Sequence, residues 1–179
     1  MINFKAEDER LKEEFEIAYE NYKTSVYTYL YHLTYDHFLA EDISQDVFLK
    51  VYSGINHFKG ESSLKTWILK IARNTYINYA KKNKVNILSV EETPMVDYAP
   101  DPEQEAINKE KGRLITEALK QLPENYRTVI ILRDQQGMTY DEIGKVMDFT
   151  LSNVKITLFR ARNKFKQIYS ELGGRDNVM

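Results

Sequence analysis

The chain has no cysteine, which excludes disulfides and thiolate metal sites and fits a reducing compartment. Histidine is almost as scarce. His32 and His37 stand five residues apart with Asp36 beside the second, and His57 is alone. That spacing suits neither a metal nor a catalytic dyad, and no HExxH, glycine-rich phosphate loop or nucleophile motif stands near them. The expectation is therefore no catalytic residue, no metal, no cofactor and no small-molecule substrate, although an enzyme built on these histidines stays as a rival reading. Long apolar runs are missing too. Nothing approaches the ~18 residues of a spanning helix, and the opening MINFKAEDERLKEEFE has no apolar core for a secretory signal. A cytoplasmic protein without membrane insertion is expected. Proline is rare, and Pro94, Pro100 and Pro102 fall within one short stretch.

What is present is helical pattern and segregated charge. With 42% hydrophobic and 29% charged residues, the composition suits a soluble protein rich in surface helix. The formal net charge of −2 hides the blocks: residues 64–84 carry Lys and Arg but no acid, and residues 89–107 carry Asp and Glu but no base. Local fields, not the average, then decide which partners bind.

The most informative stretch runs from Thr139 to Ile168. Thr139 and Glu142 form a capping box that starts a short helix carrying Ile143, Val146 and Met147. After a break at Asp148-Phe149-Thr150, a longer helix buries Val154, Leu158, Ala161, Phe165 and Ile168 along one stripe. Ser152, Asn153, Ile156, Arg160 and Asn163 project opposite that stripe, with Lys155, Arg162 and Lys166 on one flank and Lys164 on the other. This is the layout of a helix-turn-helix, in which Arg and Asn bond base edges and flanking cations hold phosphates. An ordinary αα-hairpin with a solvated basic face has the same layout.

Earlier in the chain, residues 7–35 place Phe15, Tyr19, Tyr22, Val26, Tyr29, Leu30 and Leu33 at helical spacing, and Asp36-His37 reads as a helix junction. A helix from Leu39 to Tyr52 then buries Ala40, Ile43, Val47 and Val51. Its other face mixes Glu41, Asp42, Gln45 and Asp46 with Phe48, Leu49 and Tyr52. Exposed apolar groups among charges mark a docking face, unless a neighbouring helix covers Phe48 and Leu49. A loop follows, with Ser62 and Ser63 as candidate N-caps. The next helix, to about Lys82, turns Leu64, Trp67, Ile68, Ile71, Ala72, Thr75 and Tyr79 inward. Lys70, Arg73, Asn74, Ile77 and Lys81 face outward, as a single-strand-binding surface requires. Residues 84–104 read as a flexible acidic linker. Beyond it come a helix from Glu105 to Leu122, another from Tyr126 to Gln135 ended by Gly137, and the hairpin.

These segments resemble the sigma factors of bacterial RNA polymerase, in the compact extracytoplasmic-function (ECF) branch of the sigma-70 family. The residues that carry the likeness are AEDISQDVF, FKGESSLKTWILKIARNTYINY and LPENYRTVIILRDQQGMTYDEIGKVM followed by NVKITLFRARNKF. The resemblance implies an all-α protein of two small helical domains, 1–83 and 105–172, joined by the linker 84–104 and ending in the tail 173–179. It implies a non-enzymatic promoter-specificity subunit whose partners are core RNA polymerase, promoter DNA and an anti-sigma factor. Asp42, Gln45, Asp46 and Phe48, with Leu49 and Tyr52 on the same face, would meet the polymerase. Phe58, Lys59 and Ser62 of the loop, with Lys70, Arg73, Asn74, Asn78 and Lys81, would take the melted −10 strand, one base being swung into the loop. Ser152, Asn153, Lys155, Ile156, Arg160, Arg162, Asn163 and Lys164 would read the −35 duplex. Asp148 stands where the family customarily has a turn glycine. The competing reading is a two-domain helix-turn-helix regulator with an N-terminal interaction domain.

Overall fold

The computed structural model describes residues 4–83 and 102–174, and every regular element among them is helical. Most of the expected linker and the end of the tail lie outside the described residues. Helix α1 (Phe4–Thr34) runs unbroken through the first apolar pattern, and Tyr35 then takes a left-handed turn at φ 54°. Asp36 caps α2 (His37–Gly54) by accepting from the Leu39 N–H, so α2 begins two residues before the position expected from periodicity. A single 3₁₀ turn, Ile55–His57, leads into the loop. Ser63 accepts from the Thr66 N–H at 3.2 Å and starts α3 (Leu64–Asn83).

The second half opens with α4 (Pro102–Lys120), three residues earlier than expected, with proline at its first position where no N–H is needed. Helix α5 (Glu124–Ile130) widens into a π-helical turn at Ile131–Gln135, closed by Gly137 at φ 67°. Then come α6 (Tyr140–Met147) and α7 (Leu151–Glu171), joined by the residues 148–150.

The expected core stripes are buried: Ala40, Ile43, Val47 and Val51 in α2, and Val154, Leu158, Ala161, Phe165 and Ile168 in α7. Ala18, Leu69 and Tyr76 join them, whereas Tyr19 stays 40% exposed and Trp67 only half-buried. The two halves do not stand apart. Buried apolar residues from both belong to one contiguous cluster, and α6 packs along α3. Arg127 of α5 reaches across to donate to the Leu33 carbonyl at 3.2 Å, and its guanidinium lies over the Tyr35 ring, as does the Lys120 ammonium.

Candidate nucleic-acid interfaces

The hairpin α6–α7 is built by its turn chemistry. Both arms of the capping box form: Thr139 Oγ1 accepts from the Glu142 N–H, and Glu142 accepts from the Thr139 N–H at 2.9 Å. The bond from the Thr139 N–H does most to hold the Glu142 carboxyl below the usual carboxylate range, helped by the Thr139, Ser63 and Thr66 hydroxyls. Asp148 ends α6 in the left-handed conformation, φ 56°, which Asp tolerates better than most residues. The Phe149 N–H then donates to the Gly144 carbonyl at 2.9 Å, and Thr150 caps α7 through the Asn153 N–H. The turn closes so tightly that a Cβ on Gly144 would sit 2.8 Å from the Phe149 carbonyl oxygen.

With α7 seated by its buried stripe, Ser152, Asn153, Lys155, Ile156, Arg160, Asn163 and Lys164 all face solvent. Arg162 does so only in part, because its guanidinium is tied to Asp134 at 2.7 Å. Two exposed apolar side chains extend the surface beyond the expected set: Phe159, 68% exposed, and Leu151. Phe159 was legible in the spacing, since it lies three residues from Ile156 and four from Asn163.

On α2, Asp42, Gln45, Asp46, Leu49 and Tyr52 are exposed, Leu49 by 66%. Phe48 is not. It is 6% exposed, with its ring edge-on to Tyr19 and Phe15 of α1, so α1 covers it and it belongs to the core. Its place on the exposed face is taken by Phe38, 83% exposed, which aligns with Asp42 and Gln45 at steps of four and three. The earlier helix start set by Asp36 is what brings Phe38 onto that face.

Helix α3 divides into two regions. Asn74, Asn78 and Lys81 are exposed, and so is Lys59 in the loop; Phe58 and Ser62 are half-buried, Phe58 with its ring 5.3 Å from that of Trp67. Toward the N-terminus the surface is covered. Arg73, expected to face outward, is 8% exposed because α5 lies over it, its guanidinium donating to Asn125 Oδ1 at 3.2 Å with Glu124 3.9 Å away. Lys70 pairs with Asp148 at 2.5 Å.

Comparison with known proteins decides the family. Residues 18–85 match Sigma-70 region 2, and residues 112–165 match Sigma-70, region 4. The RNA polymerase sigma factor YlaC of Bacillus subtilis is 31% identical over 159 residues, covering 87% of this chain and 92% of that protein. The ECF RNA polymerase sigma factor SigM of the same organism is 31% identical, covering 85% and 93%. This chain belongs to the sigma-70 family. Among solved structures, the sigma factor RpoE in complex with the anti-sigma factor NepR from Bartonella quintana superposes with TM-score 0.73 at 23% identity. It covers 88% of this chain and 97% of that one, and bears out the all-helical fold. CnrH, solved with the cytosolic domain of CnrY, superposes with TM-score 0.68 at 17% identity, covering 89% and 90%.

As a sigma factor of the ECF branch, the protein acts in transcription initiation. Its region 2 holds α2 and α3, and its region 4 holds α5, α6 and α7. Among the described residues no cluster of His, Asp and Glu is arranged to hold a metal, and no helix is long and apolar enough to cross a membrane.

Proposed function

We propose that this sigma factor docks on core RNA polymerase through the exposed face of α2, reads a −35 duplex with α7, and captures a melted −10 strand on α3 and the loop before it. The observation that carries this reading is the outer face of α7. It is free of acids from Leu151 to Ile168, open to solvent except at Arg162, and backed by a buried stripe that fixes its direction. Arg160 and Asn163 supply donors for base edges, Ile156 suits a thymine methyl, and Lys155 and Lys164 suit phosphates. The α2 face supplies the polymerase contact through Asp42, Gln45, Asp46, Leu49 and Tyr52, with Phe38 added and Phe48 left in the core. Asn74 and Asn78 address the unpaired bases, and stacking plus phosphate contacts offset the few kcal/mol that unpairing costs. An anti-sigma factor is the third partner, as NepR is for the RpoE of Bartonella quintana.

Runoff transcription with purified bacterial core polymerase across a promoter library tests the assignment. Selective initiation that requires this protein is expected, and initiation no more selective than that of core alone would overturn it. A regulator without polymerase contacts would fail to bring down core enzyme at all.

A further inference from the structure

The polar contacts between region 4 and α3 fall in a definite order. At the N-terminus of α3, the Glu142 carboxylate accepts from Ser63 Oγ at 3.2 Å and from Thr66 Oγ1 at 3.3 Å. About two turns further along, Asp148 meets Lys70 at 2.5 Å, and at the next step Glu124 and Asn125 meet Arg73. Three carboxylates from region 4 thus stand along one edge of α3, each against a donor. A helix N-terminus with two hydroxyls, followed by a lysine and an arginine at successive turns, is an arrangement that receives successive phosphates of a nucleic-acid strand. Around this edge, Lys145 donates to the Glu61 carbonyl at 2.6 Å, Lys65 donates to the Gln136 carbonyl at 2.6 Å, and Gln136 exchanges two bonds with Ser25.

Asp148 supplies the middle contact of this edge. A left-handed helix end is most cheaply filled by glycine, yet here the position holds an acid whose carboxylate reaches Lys70 of α3.

We propose that region 4 acts as an internal mimic of the −10 strand, with Glu142, Asp148 and Glu124 occupying the phosphate-facing edge of α3 and keeping the free sigma factor self-masked. The inference rests on the assignment of α3 as the −10 reader. The mask is partial. Asn74, Asn78, Lys81 and Lys59 stay open, so an incoming strand lands on the C-terminal half of α3 and displaces the carboxylates in turn.

The absence of cysteine allows clean spin labelling of the full chain at Glu13→Cys and Ser170→Cys, both exposed positions outside the proposed interfaces. Distance distributions are recorded for the wild-type background, Asp148→Asn, Asp148→Gly and the double variant Glu124→Gln/Asp148→Asn. Affinity for a random-sequence single-stranded DNA pool is measured on the same proteins. The wild type is expected to give one narrow distance. Each Asp148 variant should add a longer, broader population and bind the DNA pool about two- to fivefold more tightly, as the loss of one partly exposed ion pair allows. The double variant should do more of both. Asp148→Gly removes the ion pair while easing the turn, so its opening does not come from an unfolded region 4.

Asp141→Asn is the control for charge alone, because Asp141 is exposed on α6 and apart from these contacts; it should change neither readout. A wild-type distribution already broad, or unchanged in the variants, overturns the closed state and leaves the α3 assignment standing. Opening with no gain in strand binding overturns the mimicry and counts against α3 as the −10 reader. An equal gain from Asp141→Asn overturns it as well.

Discussion

Two chemically identical substitutions, Gly144→Ala and Gly112→Ala, should move stability in opposite directions. Each replaces a helical glycine, and each gains the same intrinsic preference, about 0.8–1.0 kcal/mol. At Gly112, exposed on α4, nothing lies within 4 Å of the new methyl, so the whole gain should appear. At Gly144 the methyl would stand 2.8 Å from the Phe149 carbonyl oxygen, where ordinary contact begins near 3.4 Å. That oxygen has little freedom to retreat. The Phe149 N–H is bonded back to the Gly144 carbonyl, Asp148 holds a left-handed conformation, and Thr150 caps the next helix. Relieving such an overlap by shifting backbone costs roughly 1–3 kcal/mol, so the net effect is a loss of about 1 kcal/mol. For a chain of this length that lowers the melting temperature by roughly 2–4 °C, while Gly112→Ala raises it by a similar amount. Urea unfolding followed by circular dichroism, analysed at constant slope, measures both. If Gly144→Ala proved as stable as the wild type or more so, the close approach at the turn would be wrong.

Arg160→Ala should cost about 1–3 kcal/mol of discrimination between −35 duplexes with no change in unfolding midpoint; a uniform loss across all duplexes would make Arg160 a phosphate contact instead. Asn74→Ala should weaken binding to a melted −10 strand and leave −35 duplex binding intact, and equal losses on separate probes would refute that division of labour. Trp67→Ala should cost about 2–3 kcal/mol, short of the 3–5 of a fully buried aromatic, because Trp67 is half-exposed beside Phe58. Glu142→Gln should flatten the acid limb of stability. The folded carboxyl lies below its ordinary 4.5, so its contribution is present above that value and lost as pH falls through the lower folded one. Melting curves between about pH 3 and 6 would show this, and an acid limb as steep in the variant as in the wild type would contradict it.

The helix-turn-helix was legible because its signals are local. A capping box, an acid-free outer face and a five-residue apolar stripe each act within a few turns, and the structure keeps all three. Phe48 and Arg73 were misplaced for one shared reason. Helical spacing tells which side of its own helix a residue occupies, but not which other element arrives there. Phe48 lies on the flank that α1 covers, and Arg73 on the flank that α5 covers. Phe38 was missed because the helix start was set two residues late, and only the Asp36 cap corrects it. Packing of the two halves onto each other had no signal in either half alone.

That packing bears on the order in which the proposed surfaces work. The α2 face and the outer face of α7 are open in the closed arrangement, whereas the N-terminal half of α3 is covered. On the proposed assignment, polymerase docking and duplex recognition therefore need no rearrangement, and strand capture does. Exchanging Asp148 for a strand phosphate on Lys70 swaps one partly exposed ion pair for another, each worth no more than about 1 kcal/mol. Little net driving force comes from that edge. The gain that holds the strand has to come from the contacts region 4 never makes, at Asn74, Asn78, Lys81 and Lys59, and from bases stacking in the loop. If α3 reads the −10 strand as proposed, the covered edge sets the threshold for capture, and the open half of α3 supplies the preference for a strand that is already unpaired.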